Sequence, residues 1–191
     1  MSATQPIRDK ELLRNFKNYY LYVEPHYRNY ALIITGLNTA LRINDLLHLT
    51  WDMLYNSDQV KKHLTLKEHK TGKYSRLLIN SELQTLLKEY HRRYFSDSAN
   101  PYLFCSSRKV NEPLSRYQAY RIIRHAAEQV GLTDHISCHS LRKTFGYQAW
   151  KQGTPPALLM SIYNHSSYQI TRRYLCIEQD DKDAVFSNIN L

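Results

Sequence analysis

Apolar positions recur at helical spacing over most of the chain and alternate only in its middle. Leu12, Leu13, Phe16 and Tyr20 mark a first helix from Asp9 to about Val23. Pro25 interrupts it and sits where a following helix can begin. Tyr30 to Leu37 is strongly apolar and predicts a buried helix, and Arg42 to Leu49 a short one. Gly36 and the Asn38-Thr39 pair are expected to bend the chain between them. Val60, His63, Leu64 and Leu66 read as a strand, as do Tyr74 to Ile79, and Lys70-Thr71-Gly72-Lys73 is the turn of a hairpin. Ser81 caps a helix reaching about Tyr94, with Leu83, Leu86, Leu87 and Tyr90 on its apolar face. After a polar loop, Tyr102-Leu103-Phe104 predicts a third short strand. Helices are predicted over Ser115–Val130, His139–Gln152, Pro155–Tyr163 and Ser167–Leu175, with Gly131 and Gly153 stopping the first two. A terminal helix is expected over Asp180–Asn188, and residues 1–7 read as a loose tail. The fold class is mainly α with a small antiparallel β-sheet (α+β), in one domain.

Composition narrows the partner. The 191 residues carry a net charge of +9, with 26 Lys and Arg. That balance favours a polyanion, nucleic acid above all. No long apolar run supports a membrane partner. Cys105, Cys138 and Cys176 are widely spaced, which argues against a disulfide framework or a structural zinc site. The polar start, Met1 to Arg14, is no signal peptide, and a reducing, cytoplasmic setting is expected.

Four short stretches carry a set of cations and one tyrosine. They are Ala40 to Leu47 around Arg42, His69-Lys70-Thr71-Gly72-Lys73, His139-Ser140-Leu141-Arg142, and Asn164-His165-Ser166-Ser167 running on to Arg173-Tyr174. Such a set suits cleavage of a phosphodiester by a phenol. The transition state gathers negative charge on its non-bridging oxygens, and a guanidinium is permanently charged and can bond two of them. Fixed cations aimed at developing charge are commonly the largest catalytic contribution. Arg42 and Arg142 are the candidate arginines. Asp45, one turn after Arg42, is placed to orient its guanidinium. His139 and Arg142 share a helix face at i and i+3. Lys70 in the hairpin turn can act as general acid on the leaving oxygen, with Lys73 a close competitor and Lys67 a distant one. His139 or His165 can take or relay the proton of the phenol. Tyr174 is one of 16 tyrosines and stands out only by its place nine residues after His165. Each piece alone is weak; the ordered combination in one basic domain is specific.

From Asp9 to about Asn188 the chain resembles the tyrosine recombinases, or phage integrase family. Arg42 matches the family's first arginine and Asp45 its supporting acid. Lys70 matches the lysine of the β hairpin, His139 and Arg142 the H-x-x-R box, His165 the second histidine, and Tyr174 the nucleophile. The resemblance implies the DNA breaking-rejoining catalytic fold and a 3′-phosphotyrosyl intermediate at Tyr174, without metal, ATP or other cofactor. Three departures stand out: Ala40 and Asn164 replace customary glycines, and Lys143 stands where a histidine is frequent. No room precedes Arg42 for the family's N-terminal core-binding domain, as in the single-domain recombinases. The tail over residues 176–191 is expected to form a helix that packs into a neighbouring protomer.

The expected function is site-specific recombination of double-stranded DNA by integration, excision or inversion, in a bacterial or phage setting. The family implies a tetramer on DNA with a plausible monomer when free, and a half-clamp of this size is expected to need neighbours, an accessory protein or a partner integrase. Two alternatives remain: a DNA-binding regulator that kept the fold without the chemistry, and relaxation of DNA in the manner of type IB topoisomerases. Base and phosphate contacts are expected from Lys73 and from Arg116, Tyr117, Arg121 and Arg124 on the Ser115–Val130 helix.

Overall fold

The computed structural model describes residues 4–57, 59–95, 100–106, 109, 111–177, 181–182, 186–187 and 189. Helix α1 (Lys10–Asn18) runs into a π-helical turn at Tyr19–Val23, and α2 (Tyr27–Thr39) follows. Two short helices, α3 (Ile43–Leu47) and α4 (Trp51–Leu54), lead into two antiparallel ribbons. One pairs β1 (Tyr55–Asn56) with β2 (Gln59–Val60). The other pairs β3 (His63–Lys67) with β4 (Tyr74–Leu78), from His63 opposite Leu78 to Lys67 opposite Tyr74. Then come α5 (Ser81–Tyr94), α6 (Arg116–Gln129), α7 (Cys138–Lys151), α8 (Pro156–Tyr163) and α9 (Tyr168–Leu175). The architecture is helical with small antiparallel sheets, as the periodicity predicts.

Helix α2 is apolar around most of its circumference because it packs against α1, α5 and α7. Ala31, Leu32 and Ile34 face a cluster with Trp51, Leu87 and Phe104; Ile33 and Leu37 face a second with Phe16, Ile123 and Leu141. Gly36 lies inside this helix and does not end it. A Cβ there would come within 2.5 Å of Leu141 Cδ1 on α7, so glycine permits the close approach. The chain turns instead at Ala40, which is left-handed (φ 52°).

Capping sets several helix ends. Asp9 accepts from the Leu12 amide, Asn80 from Leu83 and Ser115 from Gln118. The α5 cap is therefore Asn80, one residue before the expected Ser81. Tyr102-Leu103-Phe104 forms no strand; single bridges join Thr50 to Tyr102 and Cys105 to Pro113. The expected loose tail is held in place at Gln5 and Ile7. Ile7 is buried, its amide donates to Thr144 Oγ1, and the Gln5 amide donates to the His135 carbonyl. An apolar residue within a short polar segment was enough to anchor it. Most of the expected terminal helix over 180–188 lies outside the described residues; Asp181 is buried and accepts from Tyr147 Oη of the same chain at 2.8 Å. No helix among the described residues is long and apolar enough to cross a membrane.

Candidate active site

Arg42 is the N-cap of α3, in extended conformation, so its side chain leaves the helix start while Ile43, Leu46 and Leu47 are buried behind it. Its guanidinium Nη1 donates to Glu68 Oε2 at 2.5 Å. Asp45 does not orient it, contrary to expectation. Asp45 Oδ1 instead accepts from the His69 amide and contacts His69 Nδ1, both at 2.8 Å. The i, i+3 spacing does place Arg42 and Asp45 on one face, but that face abuts the end of β3, where Glu68 and His69 stand. Lys70 and Lys73 project from the exposed turn beyond.

Arg142 lies on α7 with 5% exposure. Nη1 donates to the Ala40 carbonyl and Nη2 to the Tyr163 carbonyl at 3.4 Å. The guanidinium stands 4.5 Å from the centroid of the Tyr163 ring, and Tyr163 Oη donates back to the Arg142 carbonyl at 2.7 Å. Tyr174 packs on this assembly, its ring 5.2 Å from Tyr163 and 5.2 Å, edge-on, from His165. Burial raises the pKa of the Tyr174 phenol, against the opposing pull of Arg142 and then Arg42. Burial lowers that of His165, and Arg142 and Arg42 reinforce it. His165 Nδ1 meets Thr171 Oγ1 at 3.0 Å. The Thr171 hydroxyl is also placed to donate to the Ser167 carbonyl, which leaves its oxygen free to accept from Nδ1–H and Nε2 as the basic nitrogen.

His139 is the exposed member of the H-x-x-R pair, at the start of α7. Desolvation and then Lys143, Arg116, Arg142 and Lys70 lower its pKa, which keeps the ring neutral near pH 7. A cleft of about 360 Å³ is lined by Arg42, Asp45, His69, Lys70, Arg116 and His139. The charge of Arg42 also reaches Arg142, His165 and Tyr174. The four sequence stretches thus converge. The expected DNA contacts divide. Arg116 lines this cleft, Tyr117 is exposed, and Arg121 and Arg124 line another depression beside α6 with Arg28 and His125. Arg124 is tied to Glu128 Oε1 at 2.6 Å.

The sequence profile described as the Phage integrase family matches residues 9–180. The chain belongs to this family, the tyrosine recombinases. It is 41% identical over 186 residues to "Probable integrase/recombinase YoeC" of Bacillus subtilis (strain 168), covering 97% of each chain. It is 29% identical to "Type 1 fimbriae regulatory protein FimE" of Escherichia coli (strain K12), covering 77% of this chain and 73% of that one. Against tyrosine recombinase XerD of Corynebacterium glutamicum identity is 28%, over 83% of this chain but 51% of the relative. Among solved structures, XerA recombinase superposes with a TM-score of 0.79 at 19% identity, covering 100% of this chain and 68% of that one. XerH, in a post-cleavage complex with palindromic difH substrate, gives 0.75 at 20%, covering 98% of this chain and 54% of that one.

Within this recombinase fold the departures acquire physical reasons. Ala40 and Asn164 follow α2 and α8 as C-caps and are both left-handed, with φ 52° and 55°. Glycine takes that conformation without strain, and asparagine tolerates it. Asn164 therefore keeps the turn and adds a side-chain donor, 3.3 Å from Glu68 Oε1. Lys143 is buried, donates to the Thr4 carbonyl at 2.6 Å and to Cys176 Sγ at 3.3 Å, and lies 5.4 Å from the Tyr174 ring centroid. Sequence reasoning noted Lys143 only as a departure and missed Glu68. A signal for Glu68 existed: Leu64, Leu66 and Glu68 continue one period-2 face, and all three are buried.

Proposed function

We propose that this recombinase cuts and rejoins double-stranded DNA at specific sites with Tyr174 as nucleophile. The observation that carries the reading is the Tyr174 phenol packed beside Arg142 and near Arg42, with a neutral histidine against its edge. The scissile phosphate sits between the two guanidiniums. Tyr174 Oη attacks phosphorus as the bond to the 5′ oxygen breaks, and His165 Nε2 takes the phenolic proton. Lys70 donates a proton to the leaving 5′ oxygen. His139, neutral and at the cleft, hydrogen-bonds a non-bridging oxygen. A 5′-hydroxyl from a second strand then attacks the 3′-phosphotyrosyl bond, and the protons return along the same path. The number of phosphodiester bonds is conserved, so the cycle needs no ATP, and the arginines supply the fixed positive charge. Asp45 supports the site through His69. Lys73, Arg116, Tyr117, Arg121 and Arg124 contact the duplex. Integration, excision and inversion are the same chemistry on differently arranged sites. Each requires four protomers on two duplexes, assembled from the free chain on DNA in a bacterial or phage-bearing cytoplasm, with or without an accessory protein.

Covalent capture tests this. The chain is incubated with nicked duplexes from the DNA flanking its gene, then denatured. A protein–DNA adduct with wild type and none with Tyr174→Phe is expected. Salt-sensitive binding without an adduct would instead make the chain a DNA-binding regulator. An adduct with relaxation of supercoils but no strand exchange would favour the topoisomerase reading.

A further inference from the structure

Among the described residues, Glu68 is the one carboxylate in direct contact with three separate parts of the site. Its exposure is 4%. Oε2 accepts from Arg42 Nη1 at 2.5 Å and from Thr71 Oγ1 at 2.8 Å; Oε1 accepts from Ser75 Oγ at 2.8 Å and from Asn164 Nδ2 at 3.3 Å. Its backbone closes the hairpin as well. The Glu68 amide donates to the Lys73 carbonyl and the Gly72 amide donates to the Glu68 carbonyl, both at 2.9 Å. Burial works to raise its pKa, but the bonds from Thr71, Ser75 and Arg42 outweigh this and hold it ionised. A buried anion so fully bonded is costly to break at any one partner.

We propose that Glu68 is the positioning residue that yokes Arg42 to the hairpin bearing Lys70 and to the turn before His165. The inference rests on the recombinase reading of the site. Nη1 of Arg42 is committed to Glu68, so Nε and Nη2 are the edge presented to phosphate. The carboxylate fixes the azimuth of that edge. Thr71 is the residue after Lys70, so the same carboxylate sets where the lysine turn leaves the sheet. Asn164 immediately precedes His165, so the histidine turn is referenced to the same point. Acid, base and phosphate clamp are thereby registered on one buried group. Crossing this contact, Asp45 holds His69, and the base of the hairpin is pinned to α3 twice.

The test pairs Glu68→Gln with Arg42→Lys in single-turnover cleavage of a nicked duplex. Glu68→Gln preserves shape and removes the charge and one acceptor. Cleavage should slow by about 10²-fold, as for a misplacement of about 1 Å, while affinity for the same duplex is unchanged. In the Arg42→Lys background the Glu68→Gln substitution should cost less than in wild type, because the part of its effect carried by Arg42 is already lost while the part carried by the hairpin and by Asn164 remains. Independent, multiplying losses in the double variant, or wild-type cleavage by Glu68→Gln, would overturn the proposal. Hydrogen exchange provides a readout without DNA. Glu68→Gln should speed exchange at the Gly72 amide and leave the amides of α6 as in wild type. If wild-type protein forms no adduct, the recombinase reading fails while exchange still decides the yoke: unaltered exchange at Gly72 overturns it.

Discussion

Gly146→Ala separates two opposed expectations. Gly146 lies in the middle of α7, where alanine ordinarily stabilises a helix by about 1 kcal/mol. The packing predicts the reverse sign. A Cβ would stand 2.5 Å from Leu175 Cδ2 and 2.8 Å from Tyr163 Cζ, with Tyr163 Oη closer still. Tyr163 and Leu175 are both fully buried, so neither can swing into solvent. Overpacking of this kind costs roughly 1–3 kcal/mol. Displacing Tyr163 also weakens its bond to the Arg142 carbonyl, worth about 1 kcal/mol. Set against the helix gain, the net loss is about 2 kcal/mol, or ~4–8 °C in Tm for a chain of this size. The same displacement moves the ring under the Arg142 guanidinium and the ring beside Tyr174. Cleavage should therefore fall by about 10²-fold. Thermal melts and covalent capture read the two effects. Adding Tyr163→Phe should recover part of the stability by removing the nearest atom. A Gly146→Ala protein with raised Tm and normal adduct formation would refute the packing argument.

Three further outcomes follow from the same geometry. Ala40→Val places a β-branched side chain at a left-handed residue whose carbonyl accepts from Arg142; it should cost about 1–3 kcal/mol in urea unfolding and slow cleavage, whereas Ala40→Gly should cleave normally. Lys143→Met removes the buried donor to Thr4 and Cys176 and should cost about 1–3 kcal/mol, with hydrogen exchange rising at the Gln5 and Ile7 amides, whose partners are His135 and Thr144. His139 and His165 have folded pKa values below their unfolded value, so the unfolded chain binds more protons; stability is full above about pH 6.5 and declines as pH falls below it. The urea midpoint should drop between pH 7.5 and 5, less steeply in His165→Gln, and an unchanged slope would remove His165 from that account.

What the sequence made legible was set by periodicity and by capping. The α5, α6, α7, α8 and α9 helices fall within a residue or two of their expected bounds, because each joins an apolar face to a cap or a following glycine. The hairpin was legible from alternation around Lys-Thr-Gly-Lys. Tyr102-Leu103-Phe104 misled because apolar β-formers can also be buried as an irregular segment, held by single bridges. Gly36 misled because a helical glycine records the approach of a distant helix, and Leu141 is not near it in sequence. The partners of Arg42 and Asp45 were illegible for a related reason. Spacing within α3 shows which side chains share a face, but not that β3 ends against that face. Lys143 is a charged residue, usually solvated, and only tertiary packing reveals its burial; the period-2 face through Leu64 and Leu66 turns Glu68 inward but does not show that Arg42 meets it there.

Burial of Tyr174 constrains how the phenol can react. Its pKa lies above the ordinary value near 10 even with two guanidiniums close by. At pH 7 fewer than about one phenol in a thousand would then be ionised. On the chemistry proposed above, pre-ionisation is thus a poor route, and the proton leaves as the oxygen attacks. That demands a neutral acceptor at the phenol, and the environment of His165 lowers its pKa in the required direction. Burial first, and then the charges of Arg142 and Arg42, keep this base deprotonated. The rate of cleavage should accordingly rise through the lowered histidine pKa and level off above about pH 6.5. A rate that instead climbed tenfold per pH unit toward 10 would mean that free phenolate is the nucleophile and that His165 is not the base.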